Sequence, residues 1–197
     1  MYKIILASSS PRRMEMIHNF CEEPVIIPSN IDETLPSDIT KERAVMLLSL
    51  KKALASRDLA KAASEEYKDY YLIAADTIVY KDGLLGKPSS RADAKRMLQK
   101  ISGTYHYVLT GVTVIDMNSP RIVTFYDSTK VHCMDLTNSD LEEYLDTDEP
   151  YDKAGAYAIQ GEFGEFIKKI EGSYNNVVGL PTEKLEEVLK DLEETGK

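Results

Sequence analysis

The chain has 197 residues, of which 33 are acidic and 24 basic, giving a formal net charge of −9 and a sequence isoelectric point near 4.9. A chain of this length builds a core without disulfides or structural metals, and its 43% hydrophobic and 29% charged residues exclude a disordered, collagenous or coiled-coil protein. The acidic balance disfavours long DNA or RNA as a partner, because nucleic acids are bound mainly through their phosphates. We expect one domain over residues 1–197.

Location and redox state follow from short stretches of the sequence. No apolar run approaches the ~20 residues of a membrane span, so no membrane partner is expected. The apolar part of Met1–Ala7 is too short for a signal peptide, and polar residues follow at once, so we expect a cytoplasmic protein. The two cysteines, Cys21 and Cys133, lack metal-binding spacing and are expected to be reduced, packed thiols.

Apolar residues recur at strand and helix periods along the chain, which predicts an α/β fold with a mixed sheet. Serine and threonine before apolar runs mark helix starts, while glycine and proline mark helix ends and turns. In chain order, the predicted elements are a strand over Lys3–Ala7, a helix from Ser10 and Pro11 to Phe20, a strand over Val25–Ile27, a helix from Thr40 to about Ala63, a hairpin of Tyr71–Tyr80 and Leu84–Leu85 around Asp82-Gly83, a helix from Ser89 or Ser90 to Ile101 closed by Gly103, a hairpin of Tyr105–Asp116 and Arg121–Met134, a short helix from Thr137 or Ser139 through Tyr144, and a helix over Pro181–Leu192.

The first informative polar segment lies where the first strand meets the first helix. Free N–H groups at the helix start, the hydroxyls of Ser8 and Ser10 and the guanidinium groups of Arg12 and Arg13 suit phosphate oxygens. A capped, solvated helix start with incidental arginines explains the segment equally well. No Walker or dinucleotide-binding glycine motif occurs in the sequence.

Asp76 interrupts the most apolar predicted strand, between Ala75 and the pair Thr77-Ile78. A buried carboxylate is costly unless it is paired or bound to a cation, so Asp76 is a candidate general base or metal ligand. A structural aspartate satisfied by backbone donors is the alternative. Asp32 and Glu33 follow another strand and could share Mg²⁺ or Mn²⁺ with Asp76, because these ions prefer oxygen ligands.

The segment Tyr151–Leu180 is dense in glycine, which predicts that its backbone approaches a ligand closely. Within it, Gln160 offers a donor and an acceptor to the edge of a base, and Lys87 adds a cation after the first hairpin. No nucleophilic Ser-His-Asp or Cys-His arrangement is indicated. Three histidines lack metal-ligand spacing and are expected to be non-catalytic: His18, His106 and His132.

These features together resemble the Maf family of nucleoside triphosphate pyrophosphatases, from Lys3 to about Leu192. Each motif is weak alone, but their order and spacing are specific. The motifs are Leu6-Ala7-Ser8-Ser9-Ser10-Pro11-Arg12-Arg13, Asp32-Glu33, Lys52-Ala53, Ala75-Asp76-Thr77, Gly86-Lys87-Pro88, Leu109-Thr110-Gly111, Asp152-Lys153-Ala154-Gly155-Ala156-Tyr157, Ile159-Gln160-Gly161 and Val177-Val178-Gly179-Leu180-Pro181.

The resemblance implies a Maf/ITPase-like fold, a mixed twisted sheet with flanking helices and two lobes around a central cleft. It also implies a hydrolase that uses a divalent cation, Mg²⁺ or Mn²⁺, and converts a nucleoside triphosphate to its monophosphate and diphosphate. The family's catalytic base falls on Asp76 and its carboxylate partner on Glu33, and both are implied metal ligands. The implied cationic residues are Arg12, Arg13, Lys52 and Lys87, of which the lysines belong to the catalytic set, and Ser8 and Ser10 join them in binding phosphate.

Branches of the family differ at three positions, which here are Arg12, Thr77 and Gln160. This combination resembles the branch that acts on dTTP and UTP, and modified pyrimidine triphosphates are expected as further substrates. The alternatives are the branch that favours 7-methyl-GTP and a non-catalytic inhibitor of septum formation. The resemblance further implies a house-cleaning role in nucleotide metabolism and, as in many relatives, a homodimer.

Overall fold

A computed structural model describes residues 1–195 of the chain. The strands are β1 (Ile4–Leu6), β2 (Val25–Ile26), β3 (Tyr71–Tyr80), β4 (Leu84–Leu85), β5 (Tyr105–Asp116), β6 (Ile122–Cys133) and β7 (Ile167–Glu171). The α-helices are α1 (Pro11–Ile17), α2 (Lys41–Ala63), α3 (Arg91–Ile101), α4 (Asn138–Leu145), α5 (Tyr174–Val178) and α6 (Thr182–Thr195). Short 3₁₀ turns lie at Glu65–Asp69, Glu149–Asp152, Ala154–Ala156 and Glu162–Phe166.

All the strands belong to one sheet in the order β2-β1-β3-β5-β6-β7, with β4 paired to β3 beside this path. The β1 strand pairs in parallel with β2 and β3, whereas β3 with β4 and β6 with β7 are antiparallel. Parallel neighbours need a crossover connection. Along the chain, α1 connects β1 to β2, and α2 lies between β2 and β3. The predicted α/β class with a mixed sheet is confirmed.

Most predicted elements are confirmed, with shifts of a residue or a few at their ends. The strand Tyr71–Tyr80 has the predicted bounds, and its turn leads into β4. The side chains of Thr40, Ser90 and Thr137 accept hydrogen bonds from the N–H three residues later, so these residues cap α2, α3 and α4. Ser89 and Ser139, the alternatives, therefore do not cap.

The start of α1 is confirmed, and its predicted end is wrong. Ser10 occupies the N-cap position and Pro11 begins the helix, as predicted, although within residues 1–195 the side chain of Ser10 makes no capping hydrogen bond. The helix ends at Ile17 and does not reach Phe20, because the N–H of Phe20 turns back to the carbonyl of Ile17 at 2.9 Å. Phe20 is nevertheless buried, so its apolar signal was correct for the core and wrong for the helix.

Strand β7 and helix α5 were not predicted. The β7 sequence Ile-Lys-Lys-Ile-Glu breaks the alternation of apolar and polar residues, as suits a strand at the edge of the sheet. Helix α5 is a short helix inside the glycine-rich segment, where turn signals dominate the sequence. Strand β7 shows neither a continuous apolar run nor an alternation, and α5 is too short for a helical period to be read.

The described chain divides into two compact units. The first comprises Met1–Asp76, Thr110–Asp127 and the C-terminal segment from Gly179, and the second comprises Thr77–Leu109 and Ser128–Val178. The expected single domain with two lobes around a cleft stays a prediction. Residues 196 and 197 of its expected span lie outside the described residues.

The core of the first unit lies on both faces of the sheet. Ile4, Leu6 and Ile73 belong to one apolar cluster together with residues of α6. Alternate residues of the same strands, such as Leu72 and Ala74, belong to a second cluster that includes residues of α2. Side chains of a strand alternate between faces, so Asp76, two residues beyond Ala74, is directed to the α2 face.

Helix α2 lies very close to strand β5 at Gly111. A Cβ atom at that position would be 2.3 Å from the carbonyl oxygen of Val45, so only glycine allows the contact. One helical turn further on, the buried hydroxyls of Ser49 and Thr113 share a hydrogen bond of 3.0 Å. These contacts fix the helix that carries Lys52 against the sheet.

Candidate active site

The centre of the candidate site is the pair formed by Asp76 and Lys52. Asp76 is 8% exposed at the point where β3 leaves the first unit. Lys52 projects from α2, and its Nζ donates a hydrogen bond to Oδ1 of Asp76 at 2.5 Å. The buried carboxylate is thus neutralised by a cation, as its position in an apolar strand required.

Glu33 is the second carboxylate of this group. The Nζ of Lys52 lies 2.8 Å from Oε1 of Glu33, so one ammonium group contacts both carboxylates. The side chain of Glu33 is 60% exposed, whereas that of Lys52 is 17% exposed. The geometry therefore places Asp76 at the buried side of the group and Glu33 at its solvent side.

Asp32, the neighbour of Glu33, has a different role from the one considered from the sequence. Its Oδ1 accepts hydrogen bonds from the N–H of Thr34 at 2.9 Å and from the hydroxyl of Thr34 at 2.6 Å. These bonds lower the pKa of the Asp32 carboxyl below its usual value. Asp32 closes a turn around Glu33, while Glu33 is the residue that contacts Lys52.

Two residues that the sequence reasoning missed hold the Glu33 loop on α2. The Nζ of Lys51 donates to the carbonyl oxygens of Asp32 and Thr34, each at 3.3 Å, and these residues flank Glu33. The hydroxyl of Ser29 donates to the carbonyl oxygen of Lys52 at 3.1 Å. In the sequence, the adjacent lysines at 51 and 52 were the feature that could have pointed to this contact. Lys51 binds the backbone of the loop, and Lys52 binds the carboxylates.

The first loop forms a separate anchor in the same unit. The Nε of Arg13 donates to the carbonyl oxygen of Gly179 at 2.9 Å, and its Nη1 lies 3.4 Å from the hydroxyl of Ser8. Ser8 is buried, and its hydroxyl also accepts the N–H of Ser10 at 3.2 Å. The guanidinium group of Arg13 is therefore fixed in orientation by the loop and by the chain near α6.

Electrostatics link Arg13 to the carboxylates. The pKa of Arg13 is lowered, chiefly because the guanidinium group is buried. The negative charges of Asp76 and Glu33 oppose this shift, whereas the positive charge of Arg12 adds to it. Arg12 and Ser10 are half-buried beside it. The first unit thus holds seven of the predicted site residues, which are Ser8, Ser10, Arg12, Arg13, Glu33, Lys52 and Asp76.

The second unit holds the other predicted residues. Thr77 is half-buried in β3 directly after Asp76, whereas Lys87 and Gln160 are exposed. The loop of Lys87 is held where the N–H of Gly155 donates to the carbonyl oxygen of Gly86 at 3.0 Å. The roles expected for these residues stay predictions.

The glycines of the segment after Tyr151 lie against other parts of the protein. A Cβ atom at Gly155, where φ is +73°, would lie 2.9 Å from Cγ1 of Val79. At Gly164 it would be 2.7 Å from the carbonyl oxygen of Ile159, and at Gly161 it would overlap the carboxylate of Glu149. Packing within the protein accounts for these glycines, and close approach to a ligand stays a prediction.

His106 lies in a buried network of the second unit. Its Nε2 is 2.6 Å from the hydroxyl of Tyr157, and its Nδ1 is 3.8 Å from Sγ of Cys133. Burial lowers the pKa of His106 to about 3 and raises that of Cys133 to about 12. The network is therefore neutral and inaccessible, and the expectation that Cys21 and Cys133 are packed thiols is confirmed.

The donor atoms were tested against the implied divalent cation. Among residues 1–195 no group of three or more His, Cys, Asp or Glu side chains could hold a metal ion. Asp76 and Glu33 nevertheless converge on one cation, the ammonium group of Lys52. Magnesium is commonly held by one or two carboxylates together with substrate phosphates and water, so this pair fits an ion that binds with a nucleotide.

Comparison with known protein families decides the family. The family model described as Maf-like protein matches residues 3–192. The chain belongs to the Maf family. The predicted resemblance is confirmed over almost the whole length of the sequence.

Curated relatives of this Maf protein have similar lengths. A dTTP/UTP pyrophosphatase of Caldicellulosiruptor bescii is 45% identical over 98% of this chain and 96% of its own. Another of that name from Acetivibrio thermocellus is 45% identical, covering 97% and 96% of the two chains, and one from Geobacillus sp. WCH70 is 43% identical, covering 98% and 99%.

A solved structure, the Ham1 protein of Staphylococcus aureus, aligns with 66% of this Maf chain and 71% of its own at 12% identity and a TM-score of 0.43. At this similarity the alignment supports no conclusion about the fold or function of the chain. Among residues 1–195 of the Maf protein, no helix is long and apolar enough to cross a bilayer.

Proposed function

We propose that this Maf protein hydrolyses dTTP and UTP to the nucleoside monophosphate and diphosphate. The observation that carries the proposal is the ammonium group of Lys52 between Asp76 and Glu33, at 2.5 and 2.8 Å. It occurs in a chain that is 41–45% identical to proteins named dTTP/UTP pyrophosphatases. A buried base beside cations is the arrangement that phosphoryl chemistry needs.

Asp76 is the proposed general base. Lys52 fixes its carboxylate, which accepts a proton from a water molecule as the water oxygen bonds to the α-phosphorus. The bond between the α-phosphorus and the bridging oxygen breaks, and diphosphate leaves with the bonding electron pair. Positioned proton transfer of this kind contributes roughly 10²–10⁴-fold to the rate.

Positive charge near the triphosphate is the second requirement, because the substrate brings about four negative charges. Arg13 is oriented by Gly179 and Ser8, so its guanidinium group is set to bind phosphate oxygens. We include Arg12, Ser10 and Lys87 in phosphate binding on the strength of the family resemblance. Lys52 stabilises the charge of both carboxylates.

A divalent cation, Mg²⁺ or Mn²⁺, is part of the proposal. Asp76 and Glu33 would hold it together with phosphate oxygens, and when bound it neutralises charge on the triphosphate and on the departing diphosphate. In this account Glu33 serves as a ligand and Asp76 as both ligand and base.

Base selection is assigned to Thr77 and Gln160, with Arg12 at the third position that differs between branches. An amide pairs with the alternating acceptors and donor of a pyrimidine edge, whereas a glutamate would suit guanine. Modified pyrimidine triphosphates should also be substrates, since bulk on the pyrimidine leaves those groups intact. A role in removing nucleotides from the cellular pool and a homodimeric state belong to the same proposal.

Isotope labelling tests the chemistry. In water enriched in ¹⁸O, hydrolysis of dTTP should give dTMP that carries the label and diphosphate that does not. Label in diphosphate, or release of orthophosphate, would contradict attack at the α-phosphorus. The Asp76→Asn variant is the control, and it should remain folded and form no labelled product.

A further inference from the structure

The carboxylate of Glu149 is bound to the turn that follows Gln160. Glu149 begins a 3₁₀ turn in the second unit, and its Oε2 accepts the N–H of Glu162 at 2.9 Å. Its Oε1 accepts the N–H of Phe163 at 3.4 Å and the hydroxyl of Tyr144 at 2.8 Å. Both oxygens of one carboxylate therefore hold consecutive backbone groups of a segment 13 residues away.

Gly161 shows how closely the carboxylate lies against this turn. A Cβ atom at position 161 would be 1.9 Å from Oε2 of Glu149 and 2.3 Å from its Cδ. The backbone of Gly161, with φ −102° and ψ −158°, is one that other residues adopt. A side chain at position 161 would therefore displace the Glu149 carboxylate from its hydrogen bonds, although the backbone conformation itself would accept one.

The other end of the turn is fixed by packing. Phe163 is 1% exposed, and its ring lies 5.1 Å from that of Tyr144 and 4.9 Å from that of Tyr157. Gln160, in contrast, is exposed immediately before Gly161. The turn is held on its inner side by a carboxylate and an aromatic cluster, and it presents Gln160 outward.

We propose that Glu149 is a positioning residue for base selection, which fixes the backbone from Gln160 to Phe163 and thereby the direction of the Gln160 amide. The inference rests on the proposed function, in which Gln160 contacts the pyrimidine. An amide offers a donor and an acceptor, so it distinguishes thymine from cytosine only when its orientation is restricted. Glu149 itself does not touch the substrate in this account.

The first test compares kcat/KM for dTTP with that for dCTP. The Glu149→Gln variant should lower the ratio about tenfold, the factor expected for one weakened hydrogen bond between enzyme and base. The loss should appear mainly in KM, because the base is remote from the reacting phosphorus. Glu162→Gln is the matched control: it removes a neighbouring charge but keeps the backbone N–H that Glu149 binds, so it should leave the ratio unchanged.

A second variant reaches the same contact from the other side. Gly161→Ala keeps the glutamate at position 149 but puts a methyl group where its carboxylate lies. The carboxylate must then leave the turn, so the variant should lower the ratio as Glu149→Gln does. In the double variant Gly161→Ala with Glu149→Ala, the methyl group has room because the carboxylate is gone. The loss in the double variant should therefore be clearly smaller than the sum of the losses in the two single variants. Additive effects, or a wild-type ratio in folded Glu149→Gln, would overturn the proposal.

Amide hydrogen exchange separates this inference from the proposed function. In Glu149→Gln the amides of Glu162 and Phe163 should exchange faster than in the wild type, without any nucleotide present. Unchanged exchange would overturn the anchoring role. If the wild type hydrolyses neither nucleotide, the proposed function and the role in base selection both fail, while faster exchange would still support the anchor.

Discussion

The Nζ of Lys52 and the Oδ1 of Asp76 are 2.5 Å apart, and their side chains are only 17% and 11% exposed. An ion pair shielded from water is strong in its Coulomb attraction but costly to break, because the remaining charge is left poorly solvated. Since the same ammonium group contacts Glu33, one lysine controls the charge of both carboxylates.

Replacing Lys52 by methionine should reduce turnover of dTTP by about 100-fold or more, because a positioned cation is lost beside the general base. It should also lower the free energy of unfolding by about 3 kcal/mol, since the carboxylate of Asp76 is left buried and unpaired. Steady-state kinetics and urea unfolding measure the two effects. Lys61→Met, an exposed position in the last turn of the same helix, is the control and should change neither quantity. Wild-type turnover in Lys52→Met would refute the role of the pair.

Arg13→Lys tests the phosphate anchor. The guanidinium group serves the carbonyl oxygen of Gly179 and the hydroxyl of Ser8 at once, and an ammonium group lacks the planar fork that spans two such partners. We expect KM for dTTP to rise about tenfold, with a smaller fall in kcat. Arg57→Lys, at a half-buried position of α2 where the arginine pairs with Asp58, should behave as the wild type. An unchanged KM in the Arg13 variant would exclude the proposed contact with phosphate.

Lys51→Met should release the Glu33 loop without touching the carboxylates. The carbonyl oxygens on both sides of Glu33 lose their bonds to Lys51, so we expect kcat to fall about three- to tenfold. The amide of Thr34 should exchange faster with solvent in the same variant. Lys51→Arg, which keeps a donor at this position, should restore most of the activity. If Lys51→Met has both normal kcat and normal exchange, the lysine does not position the loop.

Protonation of His106 should make stability depend on pH. Its pKa is about 3 in the folded protein and 6.5 in the unfolded chain, so only the unfolded chain binds the proton between these values. Stability is therefore full above pH 6.5 and is lost as the pH falls, by about 1.4 kcal/mol for each pH unit. Urea unfolding at about pH 7 and about pH 5 should show a loss of about 2 kcal/mol, and His106→Gln should lack this part of the loss. Equal losses in the two proteins would contradict a buried, neutral His106.

The sequence allowed the main elements of the fold to be predicted because their apolar residues form continuous runs in the strands or recur at the helical period. Tyr71–Tyr80 is an example of a continuous run, and its apolar context also identified Asp76 as unusual. The run is apolar throughout because both faces of β3 are buried, and alternate residues of the strand enter different clusters. The same alternation directs Asp76 to the face covered by α2. Strand β7 has neither a continuous apolar run nor an alternation on which such a prediction could rest.

Finer features of the site depend on partners that are distant in sequence or on local turns. Asp32 and Glu33 are chemically alike and adjacent, and only the hydrogen bonds of Asp32 to Thr34 show which one is directed to Lys52. The glycine at 161 was visible in the sequence, but its neighbour Glu149 lies in a separate 3₁₀ turn that no motif covers. Such contacts cannot be predicted from the spacing of residues along the chain, because they form only when separate turns pack together.

Diphosphate release with Mg²⁺ or Mn²⁺ tests the proposed hydrolysis most directly. It should be measured for the wild type and Asp76→Asn together, with dTTP, UTP, CTP, GTP, 7-methyl-GTP and modified pyrimidine triphosphates. We expect the wild type to turn over dTTP, UTP and modified pyrimidine nucleotides and the variant to turn over none. Preference for 7-methyl-GTP would contradict the roles of Arg12, Thr77 and Gln160. Equal activity of the Asp76→Asn protein would contradict the mechanism, and silence of the wild type on every nucleotide would favour a non-catalytic role in septum formation.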